Sequence, residues 1–162
     1  MEKFSITGNL EAHIQKQVES FQKLATQEGA KFICGFQNFH KQLQAHNILT
    51  SLATNANLAT LSFLDKKIKL ENYFGKNMYC LDHVDHKAKP DPTLFLHAAQ
   101  KLKVKPQECL VFEDSQAGFH AAKAAGIKCI AIRNDLNKDL LHLADGTIGS
   151  YDQAVEEIKK LL

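Results

Sequence analysis

The sequence predicts an α/β fold in which a parallel sheet is covered by helices on both faces. Short apolar runs alternate with segments of helical periodicity along most of the 162 residues. The runs Cys109–Phe112 and Cys129–Ile132 are apolar throughout, as is typical of strands buried on both faces. An Ala-rich helix lies between these two runs, and Gly126 ends it. Strands separated by helices in this way predict a layered sandwich with a parallel sheet.

The N-terminal half contains three predicted helices and one strand. An amphipathic helix is expected from Asn9 to Glu28, because its apolar residues recur every three or four positions: Leu10, Ile14, Val18, Phe21 and Leu24. Phe36, Phe39 and Leu43 mark a second helix. A strand is expected over Ile48–Ala53, and a third helix over Asn57–Leu64.

The C-terminal half continues the alternation. Met78–Leu81 has the composition of a weak strand, and Pro92 suits the first turn of the helix that follows. After the Cys129–Ile132 strand come a short apolar stretch at Thr147-Ile148 and a final helix. That helix carries Ala154, Val155, Ile158 and Leu161. We therefore predict an extra N-terminal helix over residues 1–31 and an α/β core over residues 32–162.

The composition excludes several classes of protein. An apolar share of 44% and a charged share of 23% are ordinary for a globular domain, and the formal charge of +2 is close to neutral. The lysines are scattered, which argues against nucleic-acid binding. The first residues contain no long apolar stretch, so neither a signal peptide nor a membrane span is expected. Four widely separated cysteines favour reduced, buried thiols in a cytoplasmic protein over disulfides or a zinc site.

Polar residues follow three of the predicted strands, where ligands bind in open α/β sheets. Thr54-Asn55 offers a hydroxyl and an amide, Lys89 an ammonium in a proline-stiffened loop, and Glu113-Asp114 two carboxylates. The hydroxyl and the ammonium suit the oxygens of a phosphoryl group, while the carboxylates suit a divalent cation. Oxygen ligands without a Cys/His cluster favour Mg²⁺ over zinc.

Each of these residues also has a purely structural interpretation. Thr54 could end a strand in a turn, Lys89 could be a solvated loop charge, and Glu113-Asp114 could cap the next helix. Only the acidic pair favours a functional site by itself. The order of the residues, each after its own strand, favours a common site for all of them.

These segments together resemble the haloacid dehalogenase superfamily, in its branch of β-phosphoglucomutase-like proteins and sugar-phosphate phosphatases. Residues from about Gly35 to Ala154 carry the resemblance. Leu52–Asn55 matches the second motif of the family, Lys89–Phe95 the third, and Val111–Gly118 the fourth. The stretch Ala121–Gly126 continues the match.

The resemblance implies a role for each candidate residue. Thr54 would hydrogen-bond the transferring phosphoryl group, with Asn55 beside it, and Lys89 would neutralise its charge. Asp114 would ligate Mg²⁺, assisted by Glu113 directly or through water. Members of the family form an aspartyl-phosphate on the first Asp of an Asp-x-Asp motif, which divides a difficult hydrolysis into two easier steps.

No Asp-x-Asp occurs in these 162 residues. In the family this motif ends the central strand of the sheet and precedes a helical cap, so we expect the chain to begin inside the cap and residues 1–31 to be its remnant. Asp82 and Asp85 have the wrong spacing to replace it. His83 and His86 lie beside them, and a solvated loop is favoured there over a metal site.

A missing central strand has a structural consequence. Buried backbone amides without partners cost about 1–3 kcal/mol each, so a bare gap in the sheet is unfavourable. We expect a rearranged sheet, direct pairing of the strands on either side, or strand exchange within an oligomer.

The leading functional hypothesis is a Mg²⁺-dependent phosphatase for small phosphorylated metabolites, with sugar phosphates as the expected substrates and with impaired turnover. A phosphatase is favoured over a mutase, since little of the cap is present to hold a reorienting bisphosphate. One alternative is a non-catalytic protein that binds phosphate and Mg²⁺. Another is one half of a split or truncated enzyme, completed by an N-terminal fragment.

Overall fold

A computed structural model of the chain describes residues 15–16, 18–20, 22–23 and 25–161. Much of the predicted Asn9–Glu28 helix, including its expected cap Asn9, lies outside these residues. The first element with defined bounds is a π-helical turn, Ala25–Gly29.

Strands and helices alternate through the described part of the chain. The strands are β1 (Leu52–Ala53), β2 (Met78–Tyr79), β3 (Leu110–Glu113), β4 (Lys128–Ile132) and β5 (Gly146–Ile148). The α-helices are α1 (Phe36–Ala45), α2 (Leu58–Ile68), α3 (Glu71–Phe74), α4 (Thr93–Leu102), α5 (Gln116–Ala124) and α6 (Ala154–Leu161). From α1 onwards the predicted elements occur in the predicted order, and the structure adds one short α-helix that was not predicted, α3.

The predicted strands Ile48–Ala53 and Met78–Leu81 are longer than the observed β1 and β2. Ile48 and Leu49 lie outside β1 and are 53% and 59% exposed. The backbone amide of Ile48 donates to the carbonyl of Leu43, so this segment closes the end of α1 instead of joining a sheet. Leu81 likewise opens a 3₁₀ turn, Leu81–His83, directly after β2.

The strands form two parallel sheets. β1 pairs with β2, while β3 pairs with β4 and β4 with β5. The described residues contain no ladder between β1 and β3, so direct pairing, one of the outcomes expected for a missing central strand, is not observed. The first three residues of β3 are only half-buried, whereas Cys129–Ile132 of β4 are buried.

Helices cover both faces of the larger sheet. Alternate residues of β4 point to opposite sides: Cys129 and Ala131 pack in one cluster with α5, and Ile130 and Ile132 pack in a second cluster with α1 and α6. This arrangement confirms the predicted three-layer sandwich with parallel strands.

Helix α4 packs against both sheets. Its Phe95 belongs to the cluster beneath β3 and β4, whereas Leu94 and Ala98 pack with Tyr79 of β2. A single rigid helix therefore links the two sheets on one face.

The four cysteines are free thiols, but Cys34 is exposed and Cys109 only half-buried, so the predicted burial is wrong for these two. Cys80 and Cys129 are buried, and burial raises the pKa of Cys129 to about 12. Among the described residues, no helix combines the length and the apolar character that crossing a bilayer requires.

Substitution of Phe39 tests whether α1 is an integral part of the core. The residue is 4% exposed, and its ring lies 5.5 Å from that of Phe112 and 5.6 Å from that of Tyr151. We expect Phe39→Ala to lower the free energy of unfolding by about 3–5 kcal/mol, because it leaves a cavity against β3. Urea denaturation measures this change, and Phe63→Ala on α2, where the ring is half-buried, is the control. Equal effects of the two substitutions would contradict the packing described.

Candidate active site

The loops that follow β1 and β2 are joined by the side chain of Asn55. Its Nδ2 donates to the backbone carbonyl of Lys89 at 3.2 Å, and its Oδ1 accepts from the backbone amide of Lys89 at 2.9 Å. A side-chain amide that bonds both backbone groups of one residue fixes the position of that residue. Asn55 therefore places Lys89 next to the end of β1.

The ammonium of Lys89 lies between the two sheets. Its Nζ donates to the carbonyl of Ala53 at the end of β1 at 3.0 Å and to Oε2 of Glu113 at the end of β3 at 2.7 Å. The Phe95 ring centroid is 4.5 Å away, within the range of a cation–π contact. The side chains of Lys89 and Glu113 are both only 8% exposed, so this is a buried ion pair.

Both carboxylate oxygens of Glu113 accept hydrogen bonds. Oε1 accepts from the Asp114 amide at 3.0 Å, the Ser115 amide at 3.2 Å and the Ser115 hydroxyl at 2.9 Å. Oε2 accepts from Lys89. Burial alone would raise the pKa of Glu113, but the Lys89 charge and these hydrogen bonds hold it below its ordinary value.

Gly118 allows Glu113 to occupy this position. A Cβ atom at residue 118 would lie 2.0 Å from Cδ of Glu113, so only glycine leaves room for the carboxylate over the first turn of α5. Ser115 caps that helix by accepting from the amide of Gly118 at 3.1 Å. The Ser-x-x-Gly spacing thus serves both the helix start and the ion pair.

Thr54 and Asp114 follow β1 and β3 and are less buried than Glu113. The hydroxyl oxygen of Thr54 accepts from the Ala56 amide at 3.1 Å, and this bond does not use the hydroxyl hydrogen. Asp114 is exposed, in contrast to Glu113. Partial desolvation and the neighbouring Glu113 carboxylate raise the pKa of Asp114.

Two asparagines that sequence reasoning did not single out contact the same loop. Asn134 and Asn137 follow β4, and the Nδ2 of each donates to the backbone carbonyl of Asp114, at 3.1 and 2.9 Å. Neither asparagine belongs to the motifs described above. Nothing in the sequence indicates that they contact Asp114, which lies about twenty positions earlier.

The donor set of this site suits Mg²⁺. Mg²⁺ in proteins keeps several waters and binds through one or two carboxylates plus phosphate oxygens. Asp114 provides one exposed carboxylate, whereas direct ligation by Glu113 would break bonds that both of its oxygens already make. Asp114 is therefore the residue that fits a direct ligand.

The acids and histidines after β2 have local structural roles. Asp82 accepts from the amide of Leu58 at the start of α2 at 2.8 Å, and Nδ1 of His83 accepts from the amide of Cys80 at 3.1 Å. No group of three or more His, Cys, Asp or Glu side chains in the described residues is arranged to hold a metal ion. His83 thus takes part in the hydrogen bonding of the turn after β2.

The sequence of the chain matches a known protein family. Residues 1–132 match the model of the haloacid dehalogenase-like hydrolases. The chain belongs to this family. The family resemblance inferred from the sequence is thereby confirmed.

Curated relatives of the chain include phosphatases. A phosphorylated carbohydrates phosphatase of Thermotoga maritima is 30% identical over 165 residues, covering all of this chain and 75% of that protein. A bifunctional riboflavin kinase/FMN phosphatase of Arabidopsis thaliana is 34% identical over 110 residues, covering 67% of this chain. The chain matches only 28% of the length of the plant enzyme.

Solved structures share the fold. A family IA, variant 3 hydrolase of this family from Entamoeba histolytica superimposes with a TM-score of 0.85 and 26% identity, over 93% of this chain and 70% of that one. A proposed β-phosphoglucomutase from Thermotoga maritima gives a TM-score of 0.76 and 30% identity, over 98% and 73% of the two chains. The Rossmann-like fold and the β-phosphoglucomutase-like branch are thereby confirmed.

The buried ion pair can be tested through stability. Lys89→Met leaves Glu113 buried without its cation, and we expect a loss of about 3–5 kcal/mol in the free energy of unfolding. The double variant Lys89→Met/Glu113→Gln removes both charges and should recover most of that loss. Denaturant titration of the three proteins measures the effect. A double variant less stable than Lys89→Met would contradict the pairing.

The same proteins should differ in their response to acid. Because folding holds the pKa of Glu113 below its ordinary value of 4.5, its contribution to stability is present above that pH and is lost as the pH falls through the folded-state pKa. The unaltered chain should therefore lose stability more steeply below pH 4.5 than Lys89→Met/Glu113→Gln. Parallel curves would show that the carboxylate is not stabilised by the fold.

A double-mutant cycle tests the close approach of Glu113 to Gly118. Gly118→Ala should cost about 1–3 kcal/mol of stability, because the added methyl group overlaps the carboxylate. In a Glu113→Ala background the same substitution should be neutral or stabilise by up to about 1 kcal/mol, since alanine favours a helix over glycine. Thermal or urea unfolding gives the four values. If Gly118→Ala lowers stability equally with Glu113 and with alanine at residue 113, the added methyl group does not overlap the Glu113 carboxylate.

Proposed function

We propose that the chain forms the phosphate- and magnesium-binding part of a phosphatase site for small phosphorylated metabolites, with sugar phosphates as the substrate class. The observation that carries the proposal is the buried ammonium of Lys89, held by the Ala53 carbonyl and by Glu113, the residue that precedes Asp114. The two curated relatives named above, a phosphorylated carbohydrates phosphatase and an FMN phosphatase, support this substrate class.

Each residue has a defined task in this proposal. Thr54 donates its hydroxyl hydrogen to a phosphoryl oxygen, and Lys89 offsets the negative charge of the group. Asp114 holds Mg²⁺, while Glu113 fixes Lys89 and Asn55 fixes the loop that carries it. When bound, Mg²⁺ supplies charge neutralisation at the phosphoryl oxygens.

The nucleophile is the part of the reaction that these residues do not supply. No Asp-x-Asp occurs in the 162 residues, and Glu113 is engaged through both oxygens. The chain by itself is therefore expected to bind a phosphoryl group and to turn it over slowly or not at all. We place this activity in the cytoplasm, where the four free thiols stay reduced.

Calorimetry with inorganic phosphate and Mg²⁺ tests the binding part of the proposal. The unaltered chain should bind both, and Lys89→Met/Glu113→Gln should weaken phosphate binding by about tenfold or more, since it removes a charged hydrogen-bond donor. Lys87→Met, in the same loop and exposed, is the matched control and should leave binding unchanged. Absence of phosphate binding by the unaltered chain would contradict the proposal.

Turnover distinguishes the proposal from an intact enzyme. With Mg²⁺ and an aryl phosphate near neutral pH, the 162-residue chain should show little hydrolysis. Substantial hydrolysis that disappears in Asp114→Ala would show that another group attacks the phosphorus atom and that the chain is catalytically competent by itself.

A second candidate function is complementation by a further strand. The last residues of β1 and β3 both accept a hydrogen bond from the Lys89 ammonium, but the two strands do not pair with each other. Three residues of β3 are only half-buried. Side chains on both faces of β3 pack in the core: Val111 packs in the cluster that contains α5, and Phe112 packs in the cluster that contains α1 and α6. A parallel strand between β1 and β3 would have to be apolar on both faces and would end beside Lys89.

Mixing experiments test this second candidate. A polypeptide with an apolar strand ending in Asp-x-Asp-x-Thr should associate with the chain and restore hydrolysis, whereas the same polypeptide with Asn at both Asp positions should associate without activity. Failure of the first polypeptide to associate removes this candidate. Association of the chain with itself, measured by sedimentation, would instead favour strand exchange between copies.

A further inference from the structure

We infer that Asn137 is a positioning residue for the metal-ligating carboxylate of Asp114, an inference that rests on the proposed function. Asn137 lies five residues after β4 and is 2% exposed. A buried side-chain amide is costly unless its hydrogen-bonding groups are satisfied, so its contacts indicate what it does.

The amide of Asn137 links the ends of two strands. Its Nδ2 donates to the carbonyl of Asp114 at 2.9 Å, just beyond β3, and to the carbonyl of Ile132 at 2.8 Å, at the end of β4. Its Oδ1 accepts from the backbone amide of Asn134 at 2.9 Å. Both amide hydrogens and the oxygen are thus engaged, and two of the three bonds hold strand ends.

The carbonyl of Asp114 depends on side-chain donors. The β3–β4 ladder ends with the pair Glu113 and Ala131, and the helix cap begins at Ser115, so this carbonyl lies outside both regular structures. This carbonyl accepts hydrogen bonds from Nδ2 of Asn137 and, at 3.1 Å, from Nδ2 of Asn134. Two amide donors on one carbonyl fix the plane of the peptide group that follows Asp114.

The peptide group that precedes Asp114 is fixed as well, because its amide donates to Oε1 of Glu113 at 3.0 Å. With both peptide groups held, the direction of the Cα–Cβ bond is set, and the exposed carboxylate is presented from a fixed backbone. Groups that orient a ligand without touching the metal typically change metal affinity by about 10- to 100-fold when removed.

Metal binding by three variants tests the inference. We expect Asn137→Ala to weaken Mn²⁺ binding, followed by electron paramagnetic resonance, and Mg²⁺ binding, followed by competition, by about tenfold or more. Binding of inorganic phosphate without metal should not change, since Lys89 is not touched. Asn134→Ala should weaken metal binding less, because it removes the longer of the two bonds to Asp114. Leu136→Ala is the control: this side chain is 93% exposed, and only its backbone amide contacts Asn134.

The outcomes separate the inference from the proposed function. Failure of the unaltered chain to bind Mn²⁺ overturns the proposed function and the inference with it. Unchanged metal affinity in Asn137→Ala overturns the inference alone, and so does an equal fall in metal and phosphate affinity, which would indicate general loosening. If Asn137→Ala does not fold, Asn134→Ala decides by the same criteria. A fall in metal affinity only, absent in Leu136→Ala, supports the inference.

Discussion

The buried ion pair between Lys89 and Glu113 is the interaction on which the rest of the site depends. It joins a loop of the smaller sheet to the last residue of β3 in the larger one, where no backbone ladder connects β1 and β3 in the described residues. A buried ammonium needs a counter-charge and further partners, and Glu113, the Ala53 carbonyl and the Phe95 ring provide them. The position of the ammonium is therefore set by the protein's own groups.

The two adjacent acids have different roles because their environments differ. Glu113 is buried, accepts four hydrogen bonds and has a lowered pKa. Asp114 is exposed and has a pKa raised by desolvation and by its neighbour. A cation near Asp114 would relieve the repulsion between the two carboxylates. One acid thus organises the site, and the other remains available to a metal ion.

The sequence predicted the elements and the three loops well, because these depend on local patterns. Apolar runs, helical periodicity, Pro92 and Gly126 are all read within a few residues, and Gly126 has the positive φ of 69° expected at a helix end. The Ile48–Ala53 strand was predicted too long, because the bond between Ile48 and Leu43 that closes α1 is not visible in an apolar run. The contacts of Glu113, Gly118 and Asn137 could not be predicted either, since they form only in the folded chain.

We propose that Lys89, which is held between the two sheets, binds an anion, and nuclear magnetic resonance of its side-chain ammonium tests this most directly. With ¹⁵N-labelled lysine, we expect one protected Nζ signal, assigned by its loss in Lys89→Met, that exchanges slowly with water and shifts when inorganic phosphate is added. An Nζ signal that exchanges as fast as those of the surface lysines, and that does not respond to phosphate, would contradict the account.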